Sequence, residues 1–158
     1  MSDSSRRRSG FSTVLFDLDG TLIDSVRLIL DSYHHTLASH GLEARHDDFW
    51  LAGFSFGAWV ALLGARQLPV KQVISIAPPV GMRDFTGVLP PPCPWLVIQG
   101  EADEVVEPGP VFEWLAKQDP APTVVRMPET GHFFHRRLLD LRGAIKNGVR
   151  RNLPPLRA

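Results

Sequence analysis

The sequence predicts an α/β fold: a single three-layer domain with a mostly parallel sheet of about five strands and helices on both faces. Three observations predict it. Short apolar strands alternate along the chain with stretches of helical periodicity, the pattern that builds a parallel sheet covered by helices. The 158 residues are 44% hydrophobic, enough for one core and short for two. The residues able to do chemistry fall just after strands, where parallel sheets carry their sites.

The elements follow in order. Residues 1–10, "MSDSSRRRSG", are polar and basic, offer nothing to bury, and are expected to form a disordered tail. They lack the apolar stretch of a secretory signal. Residues 11–158 are expected to be the α/β domain. "TVLFDLD" reads as the first strand and runs into "GTLIDS". The next segment places Val26, Ile29, Leu30, Tyr33 and Leu37 at helical spacing, with Asp24 or Ser25 as N-cap and Gly41 as stop. His34, His35 and His40 are read as a solvated helix face.

At 43–48, "EARHDD", the text changes character. From Phe49, "FWLAGFSFGAWVALLGARQL" runs from apolar strand through a small-residue turn into an apolar helix. "KQVISIAPP", "CPWLVIQG" and "PTVVRMPET" supply three further strands, separated by the loop "VGMRDFTGVLPPP" and the helical "PGPVFEWLAKQ". The closing "FFHRRLLDLRGAIKNGVRRNL" sets Leu138, Leu141, Ile145 and Val149 on one helical stripe. If the first strand pairs in parallel beside "FWLAGFS", the helix between them is a right-handed crossover whose apolar stripe is core.

Charge and cysteine content narrow the partners. Seventeen basic and seventeen acidic residues cancel, so no global field favours nucleic acid or an anionic membrane, and a small-molecule substrate is expected. The basic residues near the end, from Arg136 to Arg151, lack interleaved aromatics and read as a solvated face. No apolar run is long enough to span a bilayer. The single cysteine, Cys93, cannot form an internal disulfide, and a cytoplasmic location is the expectation.

Two sets of residues carry chemistry. In "VLFDLDGTLIDS", Asp17 and Asp19 are spaced i, i+2 around Leu18, so strand alternation sets them on one side, and Gly20 lets the backbone leave the sheet. One carboxylate can attack phosphorus while the other handles a proton, both holding a hard cation. This stretch resembles motif I of the haloacid dehalogenase superfamily, in its phosphoglycolate-phosphatase-like branch. The resemblance implies Asp17 as nucleophile, Asp19 as acid/base and Mg²⁺ between them, and it covers residues 11–42. The other parts such a phosphatase needs are poorly supplied: Ser75 lies inside a strand, Lys71 is read as preceding it, and only "GEADE" imitates the distal acidic pair.

The second set begins with "GFSFG", Gly53 to Gly57, a G-x-S-x-G between strand and helix that presents Ser55 on a strained turn with the Phe56 N–H facing an oxyanion. Asp103 follows the strand "WLVIQG", and His132 follows "PTVVRMPET". Residues 49–158 resemble the C-terminal half of a bacterial α/β-hydrolase, close to dienelactone-hydrolase-like proteins. That resemblance implies Ser55 as nucleophile, His132 as general base and Asp103 as the group orienting the imidazole, with Glu101 and Glu104 as alternatives for the acid. It implies action on small carboxylic esters with no cofactor.

The chain therefore reads as chimera-like, with 43–48 as its seam. The hydrolase family's first strands, and the loop giving its second oxyanion N–H, are not recognisable here. Weak or absent activity is thus one expectation, and a non-catalytic recombined scaffold is a further reading beside hydrolase and phosphatase. An apolar sheet edge left without those strands would favour self-association.

Overall fold

The computed structural model describes residues 13–16, 31, 35, 38, 39 and 49–152. Five strands form one sheet in sequence order, β1 (Thr13–Phe16), β2 (Phe49–Phe54), β3 (Val70–Ile76), β4 (Trp95–Gly100) and β5 (Thr123–Met127), every neighbouring pair parallel. The expected fold class is the one observed. Among the described residues three α-helices have both ends placed: α1 (Phe56–Gly64), α2 (Pro108–Leu115) and α3 (Leu138–Gly148).

The two-residue period of the strands divides the core. Leu51, Val73, Trp95 and Val97 point to one face and pack with Ala61 and Leu62 of α1 and Val111 and Leu115 of α2. Trp50, Ala52, Ile74, Ile76, Leu96 and Ile98 point to the other and meet Leu141, Ala144 and Ile145 of α3 and the buried Val149. Both faces are covered, so the inner strands are apolar on both sides, as β4 shows by being buried at every position. Burying a side chain such as Leu62, Val73 or Val97 contributes roughly 1.5–3 kcal/mol each.

β1 lies beside β2, with Thr13 opposite Trp50 and Phe16 opposite Gly53. The strand from the phosphatase-like segment thus extends the sheet that carries the serine motif. Of the following helix, positions 31, 35, 38 and 39 are helical, and Asp31, His35, Ala38 and Ser39 are exposed. At 100° per residue they occupy the arc opposite the apolar stripe predicted above. The stripe residues themselves lie outside the described residues, as do 1–10, the 43–48 seam, His34 and His40. A parallel β1–β2 pair needs a crossover connection, and the sequence predicts that the apolar stripe of this one faces the sheet. Ile29→Asp should therefore cost several kcal/mol and Arg27→Ala about 0.5 or less. Similar denaturation midpoints for the two variants would show an undocked segment.

Two sequence expectations need correction. Leu138 does not join the stripe of the last helix: it is 64% exposed and Leu139 is 80% exposed. The reason is that "FFHRR" is not helical. It belongs to an irregular loop, and α3 starts only at Leu138, so the packed stripe begins a turn later at Leu141. Lys71 does not precede β3 but lies within it, exposed.

Candidate active site

The site is built at the carboxyl edge of the sheet, where three strand ends deliver their loops. β2 ends at Phe54, and the chain reverses through Ser55 into α1. Ser55 has φ 50° and ψ −118°, a backbone conformation that side-chain-bearing residues rarely adopt. Its N–H donates to Ile76 O at 2.8 Å, and its carbonyl accepts from Ala58 N at 2.9 Å, so the turn is held from the neighbouring strand and from its own helix. The turn is tight enough that a Cβ on Gly53 would stand 2.1 Å from Gly57 O. Phe56 is the first residue of α1, so its N–H belongs to the first turn, whose donors lack intrahelical acceptors.

β4 ends at Gly100, and Asp103 follows in the next turn. Its Oδ1 accepts from the backbone N–H groups of Val105 at 2.9 Å and Val106 at 2.7 Å. Its Oδ2 accepts from Gln99 Nε2 at 3.0 Å. The carboxylate is thus buried yet fully hydrogen-bonded, the condition under which a charge tolerates an interior. His132 Nδ1 lies 2.9 Å from Asp103 Oδ2 and 3.1 Å from Oδ1. Because a carboxylate only accepts, Nδ1 carries the proton and Nε2 is left as the basic nitrogen.

The loop carrying His132 is moulded onto the Asp103 turn. Ala102 N donates to Thr130 O at 3.1 Å, and a Cβ on Gly100 would meet that same oxygen at 2.2 Å. His132 N donates to Glu104 Oε2 at 3.1 Å. Glu129, Phe134 and Arg136 all have positive φ, so the loop is a chain of uncommon backbone states held by its neighbours. The imidazole is 3% exposed and lies against the ring of Phe54, centroids 4.9 Å apart, with Phe133 on another side at 5.0 Å. Phe54 immediately precedes Ser55, so the histidine rests against the turn that carries the serine.

Among the predicted site residues, the structure joins Asp103 and His132 directly and seats His132 on the residue before Ser55. Glu101 is engaged elsewhere, accepting from Arg126 Nε at 2.7 Å, and Glu104 takes a backbone N–H rather than the imidazole. Ser75 is buried in β3 and accepts from Trp95 Nε1 at 3.0 Å, so it is committed to the core. Asp17 and Asp19 lie outside the described residues, and among the described residues no group of three His, Cys, Asp or Glu side chains is placed to hold a metal ion. Cys93 sits in a cleft of about 270 Å³ lined by Pro90, Pro92, Pro94 and Pro120, where burial pushes its thiol up to about 11. A thiol held there stays protonated near neutrality, the form that is a poor nucleophile. Sequence reasoning missed Phe54 and Gln99. The available signal for Gln99 was one polar residue closing an apolar strand four positions before an acid.

No helix among the described residues is long and apolar enough to cross a membrane. The haloacid dehalogenase-like hydrolase family matches residues 14–54. Over 60 residues the chain is 38% identical to an uncharacterized protein of Rickettsia prowazekii (strain Madrid E), a match covering 35% of this chain and 25% of that protein. Among solved structures, an α/β serine hydrolase without lid from Xanthomonas campestris is 50% identical, with a TM-score of 0.70, covering 82% of this chain and 57% of that one. An α/β serine hydrolase homologue from Coxiella burnetii is 34% identical, with a TM-score of 0.66, covering 81% of this chain and 62% of that one.

The chain spans less than two thirds of the length of these relatives. Residues 49–158 are 110 of 158, about 70% of the chain, so a structural match over 82% reaches into the segment before Phe49 as well. The chain is thus similar in two parts to two kinds of hydrolase, a haloacid dehalogenase-like one at 14–54 and α/β serine hydrolases over most of its α/β fold.

Proposed function

We propose that the chain is a serine hydrolase that cleaves small carboxylic esters through an acyl-serine intermediate. The observation that carries this reading is the buried Asp103–His132 pair, seated against Phe54 beside the strained turn of Ser55. In this mechanism His132 Nε2 takes the Ser55 hydroxyl proton as the oxygen attacks the ester carbonyl. Asp103 keeps Nδ1 protonated and offsets the imidazolium charge that develops. The Phe56 N–H donates to the oxyanion of the tetrahedral intermediate. His132 then returns the proton to the leaving alcohol, and water repeats the sequence to release the acid. No cofactor enters, and a cytoplasmic, small-molecule role fits this chemistry.

A fluorophosphonate probe should label the wild type on Ser55 and leave Ser55→Ala unlabelled. Equal labelling of both, or none of either while circular dichroism shows an intact fold, would sink the reading.

A second reading draws on the family match at 14–54: a phosphatase using Asp17 as nucleophile and Asp19 as acid/base, with Mg²⁺ held between them. Ser75, the residue that such a reading would want for the phosphate, is tied to Trp95 in the core. Turnover of p-nitrophenyl phosphate that requires Mg²⁺ and vanishes in Asp17→Asn would favour it over the ester hydrolase. A scaffold without either activity would unfold cooperatively yet turn over neither substrate.

A further inference from the structure

We propose that Gln99 is a positioning residue of the acid–histidine pair, its side-chain N–H fixing the plane of the Asp103 carboxylate so that Oδ2 receives His132 Nδ1–H. Its kinetic consequence rests on the serine-hydrolase reading; its spectroscopic consequence does not.

Gln99 stands in β4, where Trp95, Leu96, Val97 and Ile98 are all apolar, and it is itself fully buried. Its Nε2 donates to Asp103 Oδ2 at 3.0 Å and to Gly100 O at 3.2 Å. Its Oε1 has no hydrogen-bond partner among the described residues. The other buried glutamine, Gln72, satisfies both ends of its amide: Nε2 donates to Val73 O at 2.8 Å, and Oε1 accepts from Asn152 Nδ2 at 2.6 Å. Turning the Gln99 amide over would face two acceptors at the Asp103 contact, so the donor end is committed to the carboxylate and the acceptor end is left buried without a partner among the described residues. An apolar side chain of similar length would fill the position without burying that acceptor. The amide therefore answers to its donor.

What the donor accomplishes follows from the other bonds on Asp103. Val105 N and Val106 N both hold Oδ1, which pins one oxygen and leaves the carboxylate free to swing the other about it. Gln99 holds Oδ2, the oxygen nearer to His132 Nδ1. With both oxygens held, the carboxylate plane is set, and with it the direction in which the imidazole presents Nε2. The arrangement parallels the way outer hydrogen bonds orient a ligating histidine.

The test compares the wild-type chain with Gln99→Met, which keeps length and removes the donor. Gln99→Met is expected to fold with an unchanged or higher melting temperature and to lose between about 10- and 100-fold in kcat toward p-nitrophenyl acetate, with KM unchanged, the loss expected of slight misplacement. The downfield proton resonance of His132 Nδ1–H should shift in the same variant. A wild-type kcat with an unshifted resonance overturns the proposal. So does a loss of activity matched by a fall in melting temperature, and so does failure of both Gln99→Met and Gln99→Leu to fold, since each marks a packing residue. If the wild type itself turns over no ester and Ser55 takes no probe, the serine-hydrolase reading fails. The Nδ1–H resonance then decides Gln99 alone: a shift upholds its hold on the pair, and no shift removes it.

Discussion

Asp103→Asn should lower kcat by roughly 10⁴-fold while leaving KM near its wild-type value. The direction follows from who holds each oxygen. Two backbone N–H groups, from Val105 and Val106, claim Oδ1, so an asparagine would keep its carbonyl oxygen there and place its amide nitrogen where Oδ2 stood. That nitrogen would meet the Gln99 N–H and the protonated Nδ1 of His132, three donors at one point. The imidazole would have to move its proton to Nε2 and could no longer accept one from Ser55. The unpaired buried donors should also cost about 1–3 kcal/mol of stability. Ester turnover and denaturant unfolding measure the two effects. Retention of more than a tenth of kcat would transfer the acid's role to Glu101 or Glu104, both of which have other partners here.

Gly53→Ala should destabilise the fold by about 3 kcal/mol or more, the upper range for forcing atoms into a packed interior. The added Cβ would lie 2.1 Å from Gly57 O, 2.2 Å from Gly57 C and 2.5 Å from Ala58 N, all backbone atoms of the helix that opens after Ser55. No side-chain rotation relieves such a contact; β2 and α1 must separate, which distorts the turn that holds Ser55 and the Phe56 N–H together at the sheet edge. The same substitution at Gly109 should have the opposite sign. That residue is in α2 with nothing within 4 Å of its would-be Cβ, so an alanine there should stabilise by up to about 1 kcal/mol. Denaturation midpoints of the pair separate the effect of the site from that of the residue type.

Element order, the parallel sheet and the residues at its carboxyl edge were legible because they are written in local patterns. The apolar runs at Phe49–Phe54, Val70–Ile76 and Trp95–Gly100 are short and bounded by turn residues, and G-x-S-x-G carries its geometry in its glycines. Lost to the sequence was whatever depends on distant partners. "GEADE" offers three carboxylates, and the sequence favours Asp103 while keeping Glu101 and Glu104 as alternatives. The fold gives Glu101 to Arg126, Glu104 to the His132 backbone and Asp103 to the imidazole. The start of α3 was misplaced for a related reason. "FFHRRLL" has helical composition, but Phe134 and Arg136 are held at positive φ while Phe134 buries its ring beside Phe54, so tertiary packing overrides local preference. Gln99 looked like the polar end of a strand, since its value lies entirely in what stands opposite its amide.

The in-order sheet has a temporal meaning. Each strand pairs only with the ones made just before and just after it, so a chain emerging from the ribosome can add every new strand to an edge already formed. Ser55 is made early, just after the second strand, whereas Asp103 and His132 follow the fourth and fifth. On the serine-hydrolase reading, a nascent chain would carry the Ser55 hydroxyl for some 77 residues of synthesis with no base beside it, and the hydroxyl would gain its reactivity only when β5 had joined the sheet and brought the histidine loop over the turn.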